Sequence, residues 1–130
     1  MGMERRVVPA VSPMAATVGY ARAVRVGDLV SVGGTAPVMP DGGDPPADAY
    51  EQAKRCLEIV VAALAEVGAG PEHVVRTRVF ITRAGDWPEV GRAHGEVFGD
   101  VLPASTMVVT ALLDPRWLVE IEADAIVGSA

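Results

Sequence analysis

The segment from Leu118 to Val127 alternates between apolar and acidic residues, and this pattern constrains the fold of the chain more than any other. Successive side chains of a β-strand point to opposite faces of its sheet, so alternation is typical of a strand that is covered on one face only. The apolar side comprises Val119, Ile121, Ala123 and Ala125, and the other side comprises Glu120, Glu122 and Asp124. The segment therefore predicts a sheet with one covered face and one acidic face.

Further strands are predicted from runs of β-branched and apolar residues that lie between turn signals. Gly27 and Asp28 form a two-residue turn between two such runs, which predicts a β-hairpin. The predicted strands are 20–26, 29–36, 74–82, 105–112 and 118–127, with a further short strand near Val7 and Val8.

Two helices are predicted from start signals that precede apolar residues at helical spacing. Asp48, with Glu51 three residues later, begins the first helix, and Gly68 ends it. Asp86, with Glu89 three residues later, begins a shorter second helix. Because helices alternate with strands, we predict an α+β fold with one mixed six-stranded sheet and both helices on one face.

The length of the chain and its acidic sheet face bear on domain organisation and assembly. A chain of 130 residues is enough for one core of ordinary size, so we expect a single domain spanning 1–130. Arg76 and Arg78, at alternate positions of the strand 74–82, are placed to meet the acidic residues. Both a solvated face and a subunit interface with paired charges remain open.

Charge and cysteine content limit the classes of partner. The formal net charge is -6, from 17 acidic and 11 basic residues, so we expect no nucleic-acid partner. The single cysteine, Cys56, excludes an internal disulfide and a cysteine-based zinc site, and we assign it to the core of the first helix. We expect a cytoplasmic protein that does not contact membranes, and no sequence motif calls for a cofactor or a metal ion.

Two separated motifs carry a family resemblance. Residues 18–37, VGYARAVRVGDLVSVGGTAP, are similar to a family opening of the form PYSQA…GNLVFVSGQIP. Residues 102–108, LPASTMV, followed by VEIEA at 119–123, are similar to the family pair PPARSxV…VEIEA. The chain thus resembles the Rid (reactive intermediate deaminase) family, also called the YjgF or L-PSP endoribonuclease family, over about 18–127.

This resemblance implies a fold, an assembly and a reaction. Members of the family have a six-stranded sheet with two helices, similar to bacterial chorismate mutase of the trimeric type, and form homotrimers with clefts between subunits. In those clefts, family members hydrolyse enamines and imines that are released by pyridoxal phosphate enzymes. An arginine of the PPARS motif binds the substrate carboxylate, and the first glutamate of EIEA positions a water molecule or transfers a proton.

The family pocket is only partly retained in this sequence. Glu120 matches the family glutamate and is the predicted catalytic residue, while Tyr20 and Gly34 match residues of the substrate pocket. The predicted pocket residues that depart from the family pattern are Gly33, Gly91, Ser105 and Met107. Ser105 replaces the arginine, and a hydroxyl offers one neutral hydrogen bond in place of a bidentate, charged pair. We therefore expect weak turnover of simple 2-imino acids, unless Ser105 merely begins a strand.

Several other side chains are candidates for completing the pocket. Arg22, Arg83 and Arg92 could each replace the missing cation, with Arg22 favoured, although all three also fit ordinary surface charges. His94 fits either a protonated cation, a general base or the edge of an apolar helix face. Glycines three residues before and one residue after His94 predict that another group approaches this helix closely.

Two functions from different classes follow. The first is a homotrimeric Rid-type hydrolase that acts through Glu120 on an enamine or imine in an intersubunit cleft. The second is a non-catalytic trimer that binds a small metabolite or a partner protein in the same clefts. Glu120 also fits an interface salt bridge with Arg76 or Arg78, and Tyr20 also fits an ordinary strand residue.

Overall fold

The computed structural model describes residues 3–130 and contains the six predicted strands with three α-helices. The strands are β1 Arg5–Pro9, β2 Ala21–Val26, β3 Leu29–Thr35, β4 Val74–Ile81, β5 Ala104–Val109 and β6 Val119–Ile126. The helices are α1 Ala15–Val18, α2 Ala49–Glu66 and α3 Trp87–Phe98, and short 3-10 turns cover Pro71–His73 and Ala84–Asp86. The four-residue helix α1 has no start signal in the sequence and was not predicted.

The sheet is mixed, with the strand order β1-β2-β3-β6-β4-β5. Only β4 and β5 are parallel, and α3 forms the connection that parallel neighbours require. The hairpin between β2 and β3 turns at Gly27, whose φ of 59° is the left-handed conformation that such a turn needs. The predicted mixed six-stranded sheet is therefore confirmed.

Helix α2 provides most of the cover for the sheet. The Asp48 carboxylate accepts a hydrogen bond of 2.8 Å from the backbone N–H of Glu51, so this N-cap is confirmed. Cys56 and Leu57 are buried beneath the helix, which packs on β3 and β6. Burial raises the pKa of the Cys56 thiol, which keeps it protonated, as expected for a core cysteine.

Helix α3 begins at the predicted position, directly after Asp86, but without a side-chain cap. It lies beside α2, with Pro88 in its first turn, but the Asp86 side chain caps no backbone group. Asp86 instead accepts a hydrogen bond of 2.9 Å from Nε of Arg83. The prediction of an Asp86 capping interaction was wrong, because a neighbouring guanidinium is a stronger partner for a carboxylate than a backbone amide.

The alternation of β6 separates the two faces of the sheet as predicted. Its apolar residues are buried under the helices, and its acidic residues are only partly buried on the opposite face, which we call the open face. There Arg78 forms ion pairs with Glu122 at 3.4 Å and with Asp124 at 3.0 Å. Arg76 lies opposite Asp124 in the ladder between β4 and β6, as expected, but its side chain donates a hydrogen bond to Thr106 on the neighbouring strand.

Candidate functional site

The structure divides the predicted site residues into two groups. The Glu120 group comprises Glu120, Gly33, Gly34, Arg22 and Tyr20, and it lies around β2, β3 and β6. The Ser105 group comprises Ser105, Met107, His94 and Gly91 together with Thr77, and it lies between α3, β4 and β5.

The Glu120 side chain rests against a backbone irregularity in β3. This strand bulges between Val32 and Thr35, so that Gly33 and Gly34 together oppose one residue of β6. A Cβ atom on Gly34 would lie 2.7 Å from Oε2 of Glu120. The glycine at this position therefore makes room for the carboxylate, as the retained family glycine suggests.

Arg22 of the neighbouring strand β2 forms hydrogen bonds with the same bulge. Its Nη1 donates to the carbonyl oxygen of Gly34 at 2.7 Å and to Oγ1 of Thr35 at 3.0 Å. Nη1 of Arg22 is therefore bound within the chain. A contact between Arg22 and a ligand stays a prediction. Arg22 is also the cation whose field reaches Glu120.

The environment of Glu120 favours its protonated form. Burial raises the pKa of its carboxyl above the usual value, the positive charge of Arg22 lowers it, and the negative charge of Glu122 adds to the increase. A carboxyl with a raised pKa accepts a proton readily, and it holds that proton closer to neutral pH than an exposed glutamate does. Glu120 thus has the properties of a general base or general acid.

Tyr20 lies directly before β2, at the rim of an open depression of about 650 Å³. The depression is also lined by Gly33 and Ser31 of β3 and by Ala16 of α1. The position of Tyr20 is thus close to the β3 bulge, and its ring is partly exposed.

The Ser105 group is linked by hydrogen bonds that the sequence did not predict. Thr77 Oγ1 donates to Oγ of Ser105 at 2.8 Å and lies 2.8 Å from Nε2 of His94. Thr77 is fully buried on the helix side of β4, whereas Ser105 is exposed at the edge strand. Met107 lies on the same side of β5 as Ser105, packed against the core. Sequence reasoning missed Thr77, because only the parallel register of β4 and β5 places it beside Ser105.

The surroundings of His94 favour its neutral imidazole. Its ring packs against Phe98 with a centroid separation of 4.8 Å, and burial lowers its pKa. A lowered pKa favours the neutral ring near neutral pH, so the base is favoured over the cation among the predicted roles of His94.

The glycines around His94 do not mark a close approach within the described chain. A Cβ on Gly91 would meet its nearest neighbour, Trp87, at 3.9 Å, and a Cβ on Gly95 would meet nothing within 4 Å among residues 3–130. No part of the described chain accounts for the two glycines.

Arg83 and Arg92 are engaged away from both groups. Arg83 pairs with Asp86, and Arg92 pairs with Glu89 at 2.7 Å while its guanidinium stacks 3.6 Å from the Tyr50 ring centroid. Their predicted role as substitutes for the missing arginine is therefore disfavoured by the geometry.

The two groups lie on opposite faces of the sheet. Ser105 pairs with Thr77, whose side chain points toward the helices, whereas Glu120 lies between two buried neighbours of β6 and points to the open face. One copy of the chain therefore does not bring Ser105 and Glu120 into the same pocket.

Residues 3–130 contain neither a cluster of metal ligands nor a membrane-spanning helix. Within residues 3–130, no three His, Cys, Asp or Glu side chains are grouped to hold a metal ion. No helix in that range is long and apolar enough to cross a membrane.

The fold and the half-buried Glu120 define a small α+β protein with a carboxylate-centred candidate site. The family model described as Endoribonuclease L-PSP matches residues 10–127. The chain belongs to this family, which is the Rid or YjgF family that the sequence motifs indicated.

Individual relatives agree with this assignment. An uncharacterised protein of Streptomyces coelicolor is 42% identical over 125 residues, which cover 95% of this chain and 93% of the relative. TdcF of Escherichia coli, described as a candidate reactive intermediate deaminase, is 31% identical over 110 residues, covering 82% of this chain and 85% of that protein.

Solved structures show the same fold. A crystal structure of a YjgF/YER057c/UK114 family member from Mycobacterium tuberculosis matches with a TM-score of 0.86 at 42% identity, covering 95% of this chain and 100% of that one. Escherichia coli TdcF with bound serine matches with a TM-score of 0.78 at 29% identity, covering 97% of this chain and 98% of that one.

Replacing Gly34 with alanine is expected to displace the Glu120 carboxylate. The new Cβ would be within 3.2 Å of Cδ as well as 2.7 Å from Oε2, so the side chain must rotate away. If Glu120 is the general base, we expect kcat to fall on the order of tenfold, because a misplacement of about 1 Å can slow a reaction by up to about 100-fold. The matched comparison is Gly33→Ala, whose Cβ would come no closer than 3.6 Å to its neighbours and should cause a smaller loss. Equal losses in steady-state assays would contradict this placement of Glu120.

Proposed function

We propose that the chain is a homotrimeric hydrolase of the Rid type, with one domain per chain, that deaminates a small reactive enamine or imine. Glu120 accepts a proton from the attacking water and returns it to the leaving nitrogen. Tyr20, Gly33 and Gly34 border the substrate beside Glu120, while Ser105, Met107 and Gly91 border it from a neighbouring copy.

The observation that carries this proposal is the setting of Glu120. The carboxylate is half-buried, has a raised pKa and rests against the glycine bulge of β3. The neighbouring acidic residues of β6, Glu122 and Asp124, are instead paired with Arg78. Within residues 3–130, Glu120 thus differs from its neighbours because it forms no direct ion pair and is half-buried, and both properties favour acid–base chemistry.

The division of the site residues supports an assembly in which copies share the site. Ser105 and Glu120 lie on opposite faces of one sheet, so both can meet a single ligand only when they come from different copies. The open face also carries exposed apolar side chains such as Val7 and Val108, which a neighbouring copy would cover. Light scattering that finds a stable monomer would remove this arrangement.

The replacement of arginine by Ser105 supports a substrate whose recognition does not depend on a carboxylate clamp. The serine bound in TdcF shows that a related protein binds a small amino acid, which bears a carboxylate. In this chain the equivalent motif position offers one neutral hydroxyl, and Arg83 and Arg92 are engaged elsewhere. The endoribonuclease description of the family gains no support from the net charge of -6.

Ammonia release from freshly generated imines tests the proposal. We expect the wild type to hydrolyse imines that lack a carboxylate, and Ser105→Arg to bind 2-imino acids at least about tenfold more tightly, because a charged hydrogen bond adds about 1.5–3 kcal/mol of binding. A wild type that is silent on every imine, with activity appearing only in Ser105→Arg, would exclude native deaminase activity.

A non-catalytic trimer that binds a small metabolite or a partner protein is the second candidate. It is favoured by the occupied guanidinium of Arg22, since Nη1 binds the β3 bulge and leaves the site short of cationic groups. Ligand binding that is measurable by calorimetry without any turnover would support this candidate over the hydrolase.

A further inference from the structure

The Ser105 group contains a continuous chain of three hydrogen-bonding side chains. Ser105 Oγ and His94 Nε2 both lie 2.8 Å from Oγ1 of Thr77, which connects them. The middle member is fully buried, and the outer member Ser105 is exposed. The chain therefore runs from the surface at β5, through the sheet edge, to the ring of a helix residue.

This chain can exist in two directions. A hydroxyl has one proton, so when Thr77 donates to Ser105 it accepts a hydrogen bond from Nε2–H of His94. In the reverse direction Ser105 donates to Thr77, Thr77 donates to Nε2, and the His94 proton resides on Nδ1. The tautomer of one imidazole thus sets whether Ser105 presents a donor or an acceptor to a ligand.

We propose that Ser105, Thr77 and His94 form a proton relay that exchanges a proton between the bound substrate and solvent. This inference rests on the proposed hydrolase and assigns the residues that protonate the nitrogen. Ser105 is the catalytic residue because it touches the substrate, and Thr77 and His94 are positioning residues that act through it.

The proton transfers balance in each step. When water adds to the imine carbon, a C–O bond forms, the C=N π electrons move to nitrogen, and Glu120 takes a proton from the water. The nitrogen takes a proton from Ser105, and Ser105 takes one from Thr77. Thr77 takes the proton from Nε2 of His94, while Nδ1 of the same ring takes a proton from solvent. When the C–N bond breaks, nitrogen takes the proton held by Glu120, and the hydroxyl group that came from water gives its proton to Ser105. That transfer is passed through Thr77 to Nε2 of His94 while Nδ1 releases its proton to solvent, which leaves a carbonyl compound, ammonia and the relay in its starting state.

The surroundings of His94 suit a neutral relay. Burial is the cause of its lowered pKa, and several ionisable groups around α3 are paired with one another. On α2, Tyr50 donates to Glu96 of α3, which lies within reach of Arg92. In the 3-10 turn after α2, His73 accepts a hydrogen bond from Gly70 and lies beside Glu72, while Glu89 pairs with Arg92 on α3 itself. Arg76 and Arg78 of β4 extend from the other face of the sheet.

The relay also defines the ligand atom that meets Ser105. A hydroxyl that is donor in one tautomer and acceptor in the other fits a neutral group that changes between these roles, such as an imine nitrogen that becomes an amine. A carboxylate accepts hydrogen bonds only, so it does not use the second direction.

Substitution of Thr77 separates the relay from a merely structural contact. We expect Thr77→Val, which keeps the shape but removes the hydroxyl, to lower kcat about tenfold with KM within about twofold, because it removes assisted proton transfer. It should also abolish the limb of the pH–rate profile that belongs to His94. Thr77→Ser, the matched control, should keep both kcat within about threefold and the limb. Ser105→Ala, at an exposed position, provides a second test that does not depend on core packing.

Failure of the relay can be distinguished from failure of the proposed hydrolase. If the wild type is active and Thr77→Val retains its kcat and pH profile, the relay is wrong while the hydrolase stands. If the wild type releases no ammonia, the hydrolase fails and the relay fails with it, and ¹⁵N NMR of the His94 ring then tests only the hydrogen bond: Thr77→Val must change the tautomer ratio and titration, and Thr77→Ser must not. A His94 titration that is the same in all three proteins overturns the relay in either case.

Discussion

The Glu120→Gln variant is expected to lose at least about 100-fold in kcat on any imine that the wild type hydrolyses, because a positioned general base contributes about 100- to 10,000-fold. Glutamine keeps the size and polarity of the side chain but accepts no proton at the pH of the assay. The wild-type rate should rise with pH as Glu120 loses its proton. Since burial raises the pKa of Glu120, that rise should lie at higher pH than for an exposed glutamate, and it should be absent from the variant.

Glu122→Gln is the matched control on the same face of the same strand. Glu122 pairs with Arg78, and Arg78 retains Asp124 when Glu122 is changed, so this variant should keep kcat within a few-fold of the wild type. Circular dichroism and thermal melting establish that both variants are folded. Comparable kcat values for Glu120→Gln and the wild type would refute the assigned mechanism.

Leu57→Ala is expected to destabilise the fold by about 2–5 kcal/mol, since truncating a buried leucine removes apolar contact and leaves a cavity. Leu57 is only 2% exposed and packs in the core between α2 and the sheet. A loss of this size is a large fraction of the roughly 5–15 kcal/mol that stabilises an ordinary domain. Urea denaturation should therefore show a much lower midpoint with a similar slope.

The matched control for this prediction is Leu113→Ala. Leu113 is 83% exposed, so the same truncation removes little contact within the chain and should change the unfolding free energy by at most about 0.5 kcal/mol. Equal destabilisation of the two variants would show that Leu57 is not the core residue that its burial indicates.

Much of the fold follows from local sequence patterns. The alternation of β6 assigns its apolar and acidic faces, and the Asp48 cap begins α2, because both depend on side chains that lie close together in sequence. Asp86 differs from Asp48 although a glutamate follows each of them three residues later. Arg83 binds the Asp86 carboxylate, and no side-chain cap forms. The hydrogen bond from Arg76 to Thr106 likewise depends on a tertiary neighbour.

The sequence names candidate site residues, but it does not predict how they are arranged on the two faces of the sheet. The resemblance identified Glu120 and Ser105 from motifs, and motifs do not state which face of the sheet each side chain occupies. That assignment depends on the register of β5 with β4, where Ser105 pairs with Thr77. A shift of one residue would turn Ser105 to the open face, so the separation of the two groups required the three-dimensional structure.

Because Ser105 and Glu120 lie on opposite faces of the sheet, the Ser105 group and the Glu120 group can change independently. A substitution on β5 or α3 is accommodated among Thr77, His94 and their neighbours, and leaves the β3 bulge that holds Glu120 undisturbed. Effects of distant substitutions on stability are nearly additive, so each group can change without a compensating change in the other. In evolutionary terms, the fold allows the Ser105 group to change in sequence while the Glu120 group is retained.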